Sequence, residues 1–362
     1  MFDYPLEVAP PVVTEETEFL RDQATPDRPE FMSNLVSLIL TLDRLLFSRQ
    51  VYRLHDPYQA GEKPFPPYSS RLTHILIAQN IAGTLALETG LNPTIVRAGA
   101  LAHDCGQLGK GHFQERWIQE KIGPQFTHER FGIYILERLL GLKICPEVRI
   151  CVLKHSWEGA DNVMTAPDIP AECRLVAVAE KIAYVAVDTE EAITVLENQP
   201  ELLGYSAEEA MRLLGELTEL IETIPLKPGE KLPWSLIHAL ESQVLQESLA
   251  QKRLSFTYPP FHTLRDWLKH HIYARADNVE QEARELESAS IYLRRTFPQY
   301  DPYLLLCLSD DLQIRTAARL QVGGFPGDDA TDFELDILEL IRNYHVLPGM
   351  NIRQSRPDTG VY

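Results

Sequence analysis

From Phe31 onward, apolar residues recur every three or four positions, and no stretch alternates apolar with polar residues over the length of a strand. A period near 3.6 buries one face of a helix, whereas a period of two buries one face of a strand. The chain is therefore expected to be all-α, an irregular helical assembly without the sustained heptads of a coiled coil. The spacing predicts helices over Ser33–Leu54 and Leu72–Leu87, the latter ended by Gly90. Asn92 and Pro93 are a good cap and first-turn residue for Thr94–His103. Further helices are expected over His112–Lys121, His128–Leu140, Pro146–His155 and Glu172–Glu197, then Trp234–Gln251, Thr263–Ala276, Val279–Phe297 and Phe333–Tyr344. The run Ile224–Pro233 (IPLKPGEKLP) reads as a linker. The expected organisation is an extended segment over 1–30, a core over 31–224, an additional C-terminal helical region over 232–346 and a tail over 347–362.

Composition narrows the function. Acidic residues outnumber basic ones 52 to 34, a formal charge of −18. Such a surface repels duplex nucleic acid, although a cation and a few basic side chains can reverse the sign inside a cleft. No apolar run approaches the ~20 residues of a membrane span, so no membrane partner is expected. Met1–Pro11 is acidic and carries no secretory pattern. Five cysteines without a CxxC pair argue for reduced thiols and a cytoplasmic chain.

Six of the eleven histidines fall between residues 55 and 155. Imidazole is the commonest metal ligand and the usual proton carrier near neutral pH. His103-Asp104 closes an apolar helix of small residues (Ala98-Gly99-Ala100-Leu101-Ala102), where neighbouring helices can approach and a carboxylate needs a partner. Asp104 as a mere cap of the following turn is the plainer reading. Arg71 and His74 share a helix face at i, i+3. On the long helix, Lys181, Tyr184, Asp188 and Glu191 fall within roughly 100° of Glu180. A polar stripe of this kind is by itself a solvated face. Two histidines and two carboxylates from three helices nevertheless make a mixed nitrogen–oxygen set suited to Mn, Fe, Zn or Mg. The glycines at 106, 109 and 111 lack the spacing of a Walker loop and fit a turn that carries His112 back towards His103.

Arg71-Leu-Thr-His74, Ala102-His103-Asp104-Cys105-Gly106 and Ala179-Glu180-Lys181-Ile182-Ala183-Tyr184 together resemble the H…HD…D signature of the HD superfamily. More narrowly, they resemble its deoxynucleoside triphosphate triphosphohydrolase (dGTPase-like) branch. Asp43-Arg44…Ser48-Arg49…Arg53-Leu54 with Gln59 is similar to the N-terminal motif of that branch. His103 to Glu115 matches its HD-to-GH-to-acid spacing, and Phe126-Thr-His128-Glu and Val152-Leu-Lys-His155 resemble its later histidine motifs. The resemblance runs from about residue 40 to about residue 195.

The resemblance implies a helical HD architecture in which His74, His103, Asp104 and Glu180 hold one divalent metal ion. Arg71 and Lys181 would contact phosphate, and Gln107 stands where the family has a further, histidine, phosphate contact. His112 and Glu115 would form a catalytic dyad beside His128, and Gln59, Tyr184 and Asp188 would line a deoxyribose site. It further implies a dNTP substrate and a homo-oligomer. The family's last ligand is usually Asp where this chain has Glu180. Another HD activity, nucleotidase or phosphodiesterase, and a non-catalytic nucleotide- or metal-binding regulator both remain open on these residues.

Overall fold

The computed structural model describes residues 21–41, 71–155, 169–274, 279–309, 311–322 and 327–352, and among these the chain is helical with no strand. The helices are α1 (Pro29–Leu40), α2 (Arg71–Thr89), α3 (Pro93–Ala102), α4 (Gly111–Ile122), α5 (His128–Tyr134), α6 (Pro146–Lys154), α7 (Ala171–Asn198) and α8 (Ala207–Glu222). They continue as α9 (Leu232–Gln251), α10 (Pro259–Leu268), α11 (Val279–Thr296), α12 (Pro302–Leu308), α13 (Asp311–Gln321) and α14 (Gly327–Asn343). No helix among the described residues is long and apolar enough to cross a membrane.

Local chemistry sets the boundaries that matter for the site. Gly90 ends α2 at φ +73°, a conformation costly for residues with a Cβ. Asn92 then caps α3, its side chain accepting from the backbone N–H groups of Thr94 and Ile95. Thr127 caps α5 in the same way through Arg130 N–H. Beyond Tyr134 the α5 helix widens by one residue per turn, Leu140 N–H reaching Ile135 O.

The long helix α7 is the centre of the fold, packing against α2, α3, α6, α8, α9 and α10. Covered on so many sides, it buries residues around most of its circumference, including Asp188 and Glu191. The plainer alternative of a solvated polar stripe does not hold for Asp188 and Glu191, because whether a polar row meets water depends on which helices cover it. Helix α3 is buried along its small-residue run. A Cβ on Gly99 would lie 2.7 Å from Cys151 Cβ, which accounts for the close α3–α6 crossing. All five cysteines are buried and none is in a disulfide, as expected.

Three helices were not anticipated: α8, α12 and α13. Helix α8 carries a readable start signal, since Ser206 and Glu209 form a capping box. Helix α1 begins at Pro29, just inside the segment expected to be extended, and the preceding Thr25 is tied to Glu172 by its N–H and hydroxyl. The later part of the expected helix 33–54 lies outside the described residues. The C-terminal helices close back on the core: α9 packs on α2 and α7, and α11 on α4.

Candidate functional site

Asp104 occupies the middle of the site. It follows His103, the C-terminal cap of α3, and is almost wholly buried. Its two oxygens face different groups. Oδ2 receives Arg71 Nη1 at 2.7 Å and lies 3.6 Å from His103 Nε2 and 4.0 Å from His74 Nε2. Oδ1 lies 3.5 Å from His155 Nε2 and 4.0 Å from His128 Nε2. Burial would raise this carboxyl, but Arg71, His103 and His155 overcome it and hold the pKa well below the usual carboxylate range.

The tautomer of His103 follows from its neighbours. Nδ1 lies 2.7 Å from the Ala100 carbonyl, which can only accept, so Nδ1 carries the proton. Burial lowers the pKa of this ring, leaving Nε2 an unprotonated lone pair, and that atom has no hydrogen-bond partner. A buried lone pair facing a carboxylate is stabilised by a cation between them. His74, His103 and Asp104 place ligand atoms within 4.8 Å of one another, so these residues fit a divalent ion. Glu180, from α7, is not in that cluster. It feels the charges of Lys181, His103, His155 and Asp104, and despite burial its pKa is lowered, chiefly by Lys181. Lys181 Nζ lies 3.5 Å from Glu180 Oε2, so the α7 cation and carboxylate sit side by side.

Glu115 is a second hub. Its Oε2 lies 3.1 Å from His112 Nδ1 and 2.9 Å from His128 Nδ1, and its Oε1 accepts His128 N–H at 3.2 Å. Burial opposes ionisation of Glu115, but hydrogen bonds from the two imidazoles prevail and push its pKa far down. His128 is shifted upwards because Glu115 and Glu129 outweigh its burial. His112 is the open member, with 63% of its side chain exposed. It enters α4 directly after Gly111, whose φ of +57° supplies the turn expected of the glycines.

The base of α4 is fixed from the far end of the chain. Lys110, its side chain 1% exposed, meets Glu285 of α11 at 2.8 Å. Gln114 Nε2 donates to the carbonyl of Leu306 in α12 at 3.0 Å.

The structure thus brings Arg71, His74, His103, Asp104, His112, Glu115 and His128 into one region, with Glu180 and Lys181 at its edge. Gln107 is buried in the turn after Asp104, its N–H bonding to Asp104 O. Asp188 is buried further along α7 and accepts a hydrogen bond from Tyr273, whose ring lies 6.5 Å from that of Tyr184. Gln59 lies outside the described residues. Arg71 is engaged with Asp104 rather than turned away from it. Two members carried no assigned role in the sequence. His155 was visible as a motif residue but nothing local ties it to Asp104, and Tyr273 is 85 residues from its partner Asp188.

Residues 71–185 match the HD domain family. The chain is 27% identical over 260 residues to the deoxyguanosinetriphosphate triphosphohydrolase-like protein of Caldanaerobacter subterraneus subsp. tengcongensis, covering 69% of each chain. A protein of the same description from Desulfatibacillum aliphaticivorans is 34% identical over 160 residues, 42% of this chain and 45% of its own. One from Clostridium perfringens is 29% identical over 185 residues, 48% and 53% respectively. The chain spans about half the length of the last two relatives.

Proposed function

The chain carries an HD domain, the helical scaffold of metal-dependent phosphohydrolases, and we propose that it hydrolyses a deoxynucleoside triphosphate to deoxynucleoside and triphosphate. The observation that carries this reading is the pairing of a buried His–Asp cluster with a solvent-facing imidazole. His74, His103 and Asp104 converge within 4.8 Å, while His112 stands beside them, held by Glu115 at 3.1 Å.

His74, His103, Asp104 and Glu180 would hold one divalent metal ion, which when bound polarises a phosphoryl oxygen and neutralises developing charge. The protein's own residues do the rest. Arg71, Lys181 and Gln107 would supply positive or polar contacts to phosphate oxygens in a molecule that is otherwise strongly acidic. Glu115, ionised at neutral pH, accepts the Nδ1 proton of His112 and so leaves Nε2 free to take a proton from water or return one to the leaving oxygen. By holding His128 as well, Glu115 fixes the second ring of the dyad region.

Tyr184, Asp188 and Gln59 are assigned to the sugar, and Tyr273 joins them by fixing Asp188. The core over 31–224 would then carry the phosphate chemistry, and the region over 232–346 would complete the sugar wall and brace α4. The same reading extends to a cytoplasmic homo-oligomer without a duplex nucleic acid or membrane partner.

The test is a panel of dNTPs and NTPs with Mn²⁺ or Mg²⁺, products resolved by chromatography. Triphosphate should appear, and deoxynucleotides should be cleaved faster than ribonucleotides, since a pocket closed around C2′ rejects an added hydroxyl. Release of monophosphate or pyrophosphate, or equal rates on both sugars, would replace the reading with another HD activity.

A further inference from the structure

Two anchors bracket His112 in the sequence, and both reach into the C-terminal helices. Lys110, the residue before α4, gives the helix no side-chain cap; its ammonium runs inward to Oε2 of Glu285 in α11, 2.8 Å away. The missing cap comes from Gln114, which is wholly buried. Its Oε1 accepts Lys110 N–H at 3.0 Å, and its Nε2 donates to the carbonyl of Leu306 in α12 at 3.0 Å. Glu285 is itself pinned. Its Oε1 accepts Gln281 Nε2 at 3.1 Å, one turn earlier in α11, and its Oε2 lies 3.9 Å from Arg315 Nε of α13. At about 100° per residue, Gln114 points to the side of α4 opposite His112, whose side chain is exposed.

A buried ion pair adds little net stability over apolar side chains of similar volume, so what Lys110 and Glu285 supply is direction: one register of α4 on α11 satisfies both charges. The leverage on the imidazole is large, because the ring lies across the helix axis from the anchors. With side chains reaching about 5–6 Å from the axis, a rotation of α4 by about 10° carries the ring about 1 Å. A displacement of that size costs a positioned group about 10²-fold in rate. The same two helices carry a second pair for comparison. Lys121 and Glu287 also meet at 2.8 Å, but they are 33% and 52% exposed at the other end of α4, where water screens them.

We propose that Glu285 is a positioning residue for His112, acting through Lys110 by the register it imposes on α4. The inference rests on the reading of His112 as the group that carries the proton. Glu285 works on the helix and not on the reacting atoms.

The test removes both charges together, Lys110→Met with Glu285→Met, so that no ion is left buried alone. The full chain is labelled with ¹⁵N-histidine and its ring nitrogens are observed by NMR, the His112 signals being assigned by their loss in His112→Ala. Denaturant midpoint, metal content and steady-state triphosphate release are measured on the same proteins. The paired variant should keep the midpoint and metal content of wild type and the ring signals of His74 and His103, while those of His112 move. Its kcat should fall by about 10–10²-fold with KM within about twofold of wild type. Glu287→Gln should match wild type in every measurement. A loss of activity that only followed stability would be absent from a paired variant with the wild-type midpoint. If the paired variant does not fold, Glu285→Asp, which keeps the charges and shortens the reach by one methylene, decides by the same signals. Unmoved His112 signals in the folded variant would overturn the inference whatever the rate, and so would a wild-type kcat. The ring signals need no substrate, so a wild-type chain that releases no triphosphate would sink the proposed function and leave the hold of Glu285 on His112 to be decided by the spectrum.

Discussion

Replacing Gly106 with alanine should damage both the fold and the site. A Cβ at this position would lie 1.8 Å from the carbonyl oxygen of His128 and 2.3 Å from the amide nitrogen of Gly132. Both are backbone atoms of α5, so no rotamer change can relieve the contact. Restoring even a 3.0 Å separation requires α5 to retreat by about 1.2 Å, and His128 travels with it. Overpacking of this kind costs about 1–3 kcal/mol, and a clash confined to backbone belongs at the upper end. The entropy gained by removing a glycine from the unfolded chain returns less than about 1 kcal/mol, leaving a net loss of about 2–3 kcal/mol. A displacement near 1 Å at a positioned imidazole should also lower turnover by something like 10²-fold. Chemical denaturation followed by circular dichroism measures the first effect and steady-state triphosphate release the second. Gly215→Ala is the control. Its Cβ meets nothing within 4 Å on the exposed face of α8, so it should stabilise the protein by about 0.5–1 kcal/mol. A Gly106→Ala protein as stable as wild type would refute the close approach of the turn after α3 to α5 and everything built on it.

Three further outcomes are expected. His103→Ala and Asp104→Ala should each lose bound metal by elemental analysis, and unchanged content in both would remove them from the ligand set. His112→Ala should retain metal while turnover falls by about 10²–10⁴-fold, with Glu115→Gln moving in the same direction and the double variant adding little; loss of metal in His112→Ala would reassign that ring as a ligand. Glu241, in the α9 face towards α2, has its pKa raised to about 7 by burial and by Glu88. Between its ordinary value near 4.5 and 7 the folded state keeps a proton that the unfolded state has lost, so stability falls with rising pH across that window. Glu241→Gln should therefore be more stable than wild type by about 1–3 kcal/mol at pH 8 and close to it at pH 4.5, as read from denaturant midpoints; a difference independent of pH would refute this.

Much of the helical layout follows from local signals. Gly90, Asn92-Pro93 and the glycines before His112 carry their conformational demands in their own chemistry, and the structure meets them at those positions. The i, i+3 spacing of His112 and Glu115 likewise sufficed to place them in contact. What was not legible depends on long-range coverage. The α7 stripe could be assigned to a site from its residue types, but the partners that cover it, α9, α10 and Tyr273, lie far along the chain and carry no local signal. His155 is one histidine at a helix end, and only the crossing of α3 with α6, permitted by Gly99, brings it to Asp104. Helix α8 was legible and overlooked, its Ser206–Glu209 box being a local signature.

The contacts beneath α4 also fix an order of events during synthesis. Gln114 leaves the ribosome 192 residues before Leu306, its buried acceptor, and Lys110 waits almost as long for Glu285. At ~5–20 residues per second that interval is about 10–40 s. From residue 188 onward the nascent chain holds every histidine and carboxylate of the proposed chemistry, while the helix bearing His112 and Glu115 still has a cation and an amide turned towards empty space. Catalytic competence should thus arrive late and all at once, as α11 and α12 emerge. A translation complex arrested before residue 285 would display an intact HD motif that cannot turn over.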